Sequence, residues 1–165
     1  NQISAEEYTL RSAIAQSLGK IGGARAVEAL FEMLTMEKGW MGGTARDVIR
    51  QVIAQTIEHD HAAHASILLK RIAHESRDVR QWAAYCLRYS DDSAAASALM
   101  EMACDEKEEF PVREAALGTL GKIGNELALD DLDELARGPN RAIARLAAHG
   151  AIEIRQRRQL SNEQT

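Results

Sequence analysis

The pentapeptide Leu18-Gly19-Lys20-Ile21-Gly22 recurs letter for letter as Leu120-Gly121-Lys122-Ile123-Gly124. The offset of 102 residues is three units of 34, and a fixed period of that size marks a repeat architecture. Between the copies the pattern continues in weaker form. An apolar residue followed by arginine opens each unit: Leu10-Arg11, Ile49-Arg50, Val79-Arg80, Val112-Arg113 and Ala144-Arg145. Three residues after each arginine stands Ile14, Ile53, Ala83, Ala116 or Ala148, and seven after it Leu18, Ile57, Leu87, Leu120 or Ile152. Residues three, four and seven apart share one face of a helix. Each arginine therefore opens a first helix with an apolar stripe. A break follows at Gly22-Gly23, His59-Asp60, Asp91-Asp92 or Gly124-Asn125, and then a second helix. Its stripe reads Val27/Leu30/Leu34, Ser66/Leu69/Ala73, Ala96/Leu99/Ala103 and Leu129/Leu132/Ala136 in successive units. Helices are predicted over residues 5–19, 24–37, 44–58, 61–74, 78–89, 92–104, 111–122, 126–137 and 140–157.

Composition agrees. The chain has 165 residues, with 28 Ala and 16 Leu against 2 Pro. Aromatic residues make up only 4%, which argues against a β-sandwich or barrel, where aromatic and β-branched residues are enriched. With 45% hydrophobic residues and ordinary charge, disorder is excluded. One helical hairpin cannot bury its stripe alone, so neighbours must stack. The expected fold is all-α: a right-handed α-solenoid (alpha-alpha superhelix) of about four to five hairpins and roughly nine helices. The hairpins fall at about 5–37, 44–74, 78–104 and 111–137, with a last helix at 140–157. Residues 1–158 read as one repeat domain and 159–165 as a frayed polar tail.

The pattern resembles the HEAT repeat, and more closely its short bacterial form, the phycobilisome-lyase-type HEAT-like repeat. The residues that carry the resemblance are the Val-Arg-x-x-Ala core and the Leu-Gly-x-Ile-Gly ending, joined in Val112-Arg113-Glu114-Ala115-Ala116-Leu117-Gly118-Thr119-Leu120-Gly121-Lys122-Ile123-Gly124. The resemblance covers about residues 8–154; the second unit departs most, with His59-Asp60-His61 in place of the glycine ending. It implies a non-catalytic protein–protein interaction scaffold that binds a partner protein or peptide on a concave face lined by the second helices. Residues expected there are Glu28, Glu32, Lys70, Ser97, Glu101, Asp130 and Glu134. They are mostly acidic, which favours a basic partner. The resemblance also carries two alternatives. One is a bilin lyase-like accessory subunit, for which no residue here marks a bilin site. The other is a regulatory HEAT domain of a multidomain protein.

The repeat arginines Arg11, Arg50, Arg80, Arg113 and Arg145 are expected to be structural, tying each helix to a carboxylate or carbonyl of its neighbour. Chemistry is weakly marked elsewhere. His59, His61 and His64 form a weak metal candidate, since two or three imidazoles suit a borderline metal. The plainer reading is a polar helix start, so no metal and no cofactor is expected. Deoxyhypusine hydroxylase, in the same superfamily, holds a di-iron centre through four His-Glu pairs; this chain has one misplaced pair, His74-Glu75. Gly19-Lys20-Ile21-Gly22-Gly23 lacks the Gly-Lys-Ser/Thr ending of a phosphate loop. No Gly-x-Ser-x-Gly elbow occurs, so no catalytic residue is assigned. The acidic run Asp130, Asp131, Asp133 and Glu134 reads as a solvated helix face.

Departures from the repeat carry further expectations. The first spacing between repeat arginines is the longest, and the surplus falls in Thr35–Gly43. There Trp40 and Met41 sit between glycines; either Trp40 folds back to cover the open edge of the first hairpin, or Trp40 and Met41 contact a partner or a missing segment. Trp82 and Tyr85 read as packing residues between repeats. Charge is uneven: residues 101–109 carry net −4 and residues 137–158 net +5, within a total of −5. An acidic chain with no continuous basic stripe argues against nucleic acid. No apolar run reaches membrane-spanning length. Cys86 and Cys104 read as free thiols of a reducing compartment, hence a cytoplasmic location. The first residue is not Met and the last helix shows an apolar stripe of Leu146, Ile152 and Ile154. These predict an excised piece of a larger protein, or self-association through the C-terminal end.

Overall fold

Helix starts follow from local capping chemistry. Ser4 Oγ accepts the Glu7 N–H at 3.1 Å, and Glu6 and Glu7 add negative charge to the positive end of the first helix. Asp92 accepts from Ala94 N–H at 2.9 Å, and Asn140 from Ala142 N–H at 3.1 Å. Pro111 sits in the first turn of its helix, where its missing N–H costs nothing. The structure is a computed structural model that describes residues 4–36, 42–90 and 92–163. Its helices are α1 (Ala5–Ile21), α2 (Gly23–Met36), α3 (Gly42–His59), α4 (His61–Arg71), α5 (Arg77–Cys86), α6 (Ser93–Cys104), α7 (Phe110–Ile123), α8 (Leu129–Ala136) and α9 (Arg141–Glu163). No strand occurs among the described residues. Trp40 and Met41 lie outside them.

The chain divides into two compact units, residues 1–82 and 83–165. In the first, α1 packs on α2 and α3, while α2 also packs on α3 and α4. Phe31, Leu30, Leu34, Ile49, Ile53 and Ile57 are fully buried there. In the second, α6 packs on α7, and α9 packs on both α7 and α8. Leu87, Leu99, Leu117, Leu120 and Leu132 form its fully buried centre. The pentapeptide glycines let helices approach. A Cβ on Gly19 would stand 2.5 Å from Val52 Cγ1, and one on Gly121 would stand 3.3 Å from Gly150 Cα. At Gly22 the reason differs: φ is +66°, a left-handed turn that glycine adopts without strain, and its N–H closes α1 on Leu18 O at 2.9 Å.

The stripe three and seven residues after the repeat arginine is buried in the inner first helices, at Ile53/Ile57, Ala83/Leu87 and Ala116/Leu120. In the two end helices it shifts. Ile14 and Ile152 are exposed, and the buried residues are Ala15 in α1 and Ile143, Ala147, Ala151 and Ile154 in α9. In each of these helices the face turned to its packing partners, α2 and α3 for α1 and α7 and α8 for α9, sets which residues are buried. Ile154 thus belongs to the core, not to an open apolar stripe. The second-helix stripe also needs correction in α4. Ser66 and Ala73 are exposed and Leu69 half-buried, while His64, Ile67 and Leu68 are buried. Bounds move by three residues or more at four places. The chain turns after Arg71, the end of α5 tightens into a 3-10 turn at Leu87–Tyr89, and another at Glu126–Ala128 precedes α8. The last helix runs to Glu163 rather than ending at 157.

Gly118 has no close contact at its would-be Cβ and sits mid-helix in α7. Gly118→Ala is expected to raise stability by about 0.5–1 kcal/mol, because alanine loses less backbone freedom on folding. Urea unfolding followed by circular dichroism reads this directly, and a destabilised variant would contradict it.

Candidate functional site

The repeat arginines divide by neighbour. Arg80 Nη1 donates to His74 O and Glu75 O at 2.9 and 2.8 Å, holding the turn before α5. Arg113 is buried and its Nε donates to Ala103 O at 2.9 Å, at the end of the preceding helix. Arg50 stacks over the Trp82 ring at 5.4 Å. Burial pulls its pKa down, and Asp78 opposes this. Arg11 pairs with Glu7 of its own helix at 2.6 Å, and Arg145 is exposed. Asp78 meets Arg46 at 3.1 Å. Tyr85 lies under the Arg88 guanidinium at 4.2 Å.

In the first unit Glu28, Glu32 and Lys70 are exposed. Glu32 pairs with Arg71 across α2 and α4 at 2.7 Å, and the same guanidinium stands 6.0 Å from the Phe31 ring. The three histidines do not converge on one point. His59 Nδ1 bonds its own helix at Gln55 O, 2.9 Å away, His61 is half-buried, and His64 is 1% exposed. Among the described residues no three His, Cys, Asp or Glu side chains are placed to hold a metal ion. His59 and His64 instead share the wall of a cleft of about 490 Å³ with Gly19, Lys20, Gly22 and Asp60.

In the second unit the second helices α6 and α8 carry two clefts. The larger, about 560 Å³, is lined by Glu106, Asp131, Glu134, Cys104 and the buried Arg113, among others. The smaller, about 370 Å³, holds Ser97, Asn125, Leu127 and again Asp131. Ser97 and Glu134 thus line clefts, while Glu101 and Asp130 are exposed outside them. Sequence reasoning left Asp131 on a solvated face and gave no role to Glu106. The net −4 of residues 101–109 was the signal for Glu106. Asp131 carried none, since its position between two clefts depends on how α8 lies beside α6.

The carboxylates leave a chemical trace on Cys104. Partial burial raises its thiol pKa, Asp131 and Glu134 raise it further, and Arg113 opposes them. Because the thiolate is the reactive form, alkylation by iodoacetamide is expected to be slow at neutral pH. It should rise only as the pH climbs above the ordinary thiol range. Asp131→Asn should speed alkylation at pH 7.5. An unchanged rate would contradict the assignment. Cys86 is fully buried, and its thiol is pushed far up by burial. Three of the six arginines of the basic end are engaged within their own unit. Arg155 pairs with Asp133 at 2.6 Å and Arg158 with Glu126 at 2.9 Å. Arg157 Nη2 donates to Gly124 O at 2.6 Å, and its Nη1 donates to Gly121 O and Lys122 O.

The family described as HEAT repeats matches residues 65–153, more than half the chain. The chain belongs to the HEAT-repeat family. A second family, described as PBS lyase HEAT-like repeat, matches residues 10–34, which span most of α1 and α2. No curated protein matches the chain. HEAT repeats commonly serve as protein-interaction scaffolds and the family is generally non-catalytic. No described helix of this HEAT-repeat chain is long and apolar enough to cross a membrane.

Proposed function

We propose that this HEAT-repeat chain is a non-catalytic interaction scaffold that docks a basic protein or peptide on the second helices of its hairpins. The observation that carries the reading is the cleft between α6 and α8, where Glu106, Asp131 and Glu134 stand around about 560 Å³ with the buried Arg113 in its wall. Carboxylates converging on a concavity favour lysine and arginine side chains and steer their approach. Exposed Glu101 and Asp130 extend the negative surface, and Ser97 lines the neighbouring cleft. In the first unit Glu28 and Lys70 are the open positions of the corresponding helices, with Glu32 partly neutralised by Arg71. Two unpaired thiols fit a cytoplasmic location.

A fluorescent lysine/arginine-rich peptide and its glutamate counterpart test this. The basic peptide should bind, and its affinity should fall steeply as salt rises, because exposed charges are screened within about 10 Å at 0.1 M. The double variant Asp131→Lys, Glu134→Lys should weaken binding at least about tenfold. Equal binding of both peptides, or unchanged affinity in the double variant, would sink the reading.

A further inference from the structure

The two identical pentapeptides meet different surroundings. In the second unit Leu120–Gly124 ends α7 and runs beside α9. Helix ends leave their last carbonyls without intrahelical donors, and that end carries partial negative charge. Arg157 answers this need, its guanidinium donating to Gly121 O, Lys122 O and Gly124 O. Lys122 beside it is paired with Glu153.

In the first unit Leu18–Gly22 ends α1 and runs beside α3, which packs on α1 as α9 packs on α7. Counted from the repeat arginine, Glu58 matches Glu153, but the residue matching Arg157 is Ala62. The helix that would carry an arginine there ends at His59, whereas α9 continues to Glu163. In its place lies the cleft of about 490 Å³, and its wall includes Gly19, Lys20 and Gly22, the positions whose carbonyls Arg157 holds in the other unit.

We propose that this cleft is a guanidinium site, which takes an arginine side chain of a partner peptide on the carbonyl oxygens of Gly19 and Lys20. Asp60 stands in the same wall and supplies negative charge beside the carbonyls. His64 adds a second mark of a binding place. It lines the cleft, is 1% exposed, and its buried Nδ1 has no hydrogen-bond partner. An unsatisfied buried polar group is costly, and a ligand in the cleft offers it one. Lys20 does not bar a guanidinium, since Lys122 stands beside Arg157 in the other unit. Gly22 differs from Gly124, with φ +66° against −60°, as the chain turns at once into α2. The site therefore rests on two carbonyls and Asp60 rather than on three carbonyls. It belongs to the first unit and the acidic cleft of α6 and α8 to the second, and it stands or falls independently of the reading proposed for that cleft.

The test is a titration of the isotope-labelled full chain with three blocked pentapeptides that differ only at the central residue: arginine, lysine and citrulline. Citrulline keeps the shape of arginine and removes its charge. The arginine peptide should give saturable amide shifts at Gly19–Gly23 and a shift of the His64 ring. Citrulline should bind at least tenfold more weakly, lysine should be intermediate, and Asp60→Asn should weaken the arginine peptide at least threefold. In the variant Arg157→Ala, which opens the matching place in the second unit, the arginine peptide should also shift Gly121–Gly124. Equal binding of the citrulline peptide would overturn the proposal. So would shifts confined to α6 and α8, or shifts of Gly19–Gly23 produced by inorganic phosphate and not by the arginine peptide. The last outcome would make the place an anion site at the start of α2.

Discussion

Phe31→Ala is expected to lower the unfolding free energy by about 3–5 kcal/mol, the cost of deleting a fully buried ring whose surroundings collapse only in part. Phe31 is 0% exposed, and its helix α2 packs on α1, α3 and α4 at once. The ring also lies within 6.0 Å of the Arg71 guanidinium, which pairs in turn with Glu32. The ion pair itself should matter little, because Glu32 is half exposed and such pairs contribute about 0–1 kcal/mol. Glu32→Ala is therefore the control, and it should cost less than about 1 kcal/mol. Urea unfolding measures both losses, and hydrogen exchange at the amides of α2, α3 and α4 locates them. A Phe31→Ala variant within about 1 kcal/mol of the parent would contradict the core assignment.

Gly121→Val is expected to cost about 2–3 kcal/mol by overpacking the α7–α9 contact. A Cβ at Gly121 would lie 2.2 Å from Glu153 Oε2 and 3.3 Å from Gly150 Cα. The carboxylate can swing away, at the loss of its pairing with Lys122. The backbone of α9 cannot. Removing the glutamate by Glu153→Ala should therefore rescue only part of the loss, and full rescue would show that the backbone approach is unimportant. The identical position in the first unit gives an internal comparison. At Gly19 the obstacle is Val52 Cγ1, 2.5 Å away, the end of a side chain rather than a backbone. Gly19→Val is the like-for-like comparison and should also lower the melting temperature, because the stiff Val52 must leave its rotamer to make room.

Much of the fold was legible because a helical repeat writes its period into the chain. Arginine positions, closing glycines and the aliphatics between them fixed nine helices to within a few residues at most ends. The misses share one cause. A stripe states that a face is buried without stating what buries it. Ile14 and Ile152 keep the stripe's spacing, yet they are exposed, because the helices packed on α1 and α9 cover a different face. His64 breaks the apolar pattern of α4, yet it is buried where the end of α1 and the last turn of α3 come together beside it. Of the candidate docking residues, Ser97 and Glu134 fall in clefts, while Glu32 is drawn into an ion pair with a residue 39 positions away. No local pattern encodes a partner at that distance.

The sequence by itself determined the repeat, the helical register and the need for glycine where first helices approach. Those properties depend on residues a few positions apart, and the chain carries them wherever it folds. Only the tertiary structure decided what each copy of Leu-Gly-Lys-Ile-Gly faces. In the second unit α9 runs on long enough to bring Arg157 onto the carbonyls of Gly121, Lys122 and Gly124. In the first, α3 stops at His59 and a cleft takes that place. Five identical residues end in two different environments because the groups that satisfy a helix terminus come from wherever the packing delivers them.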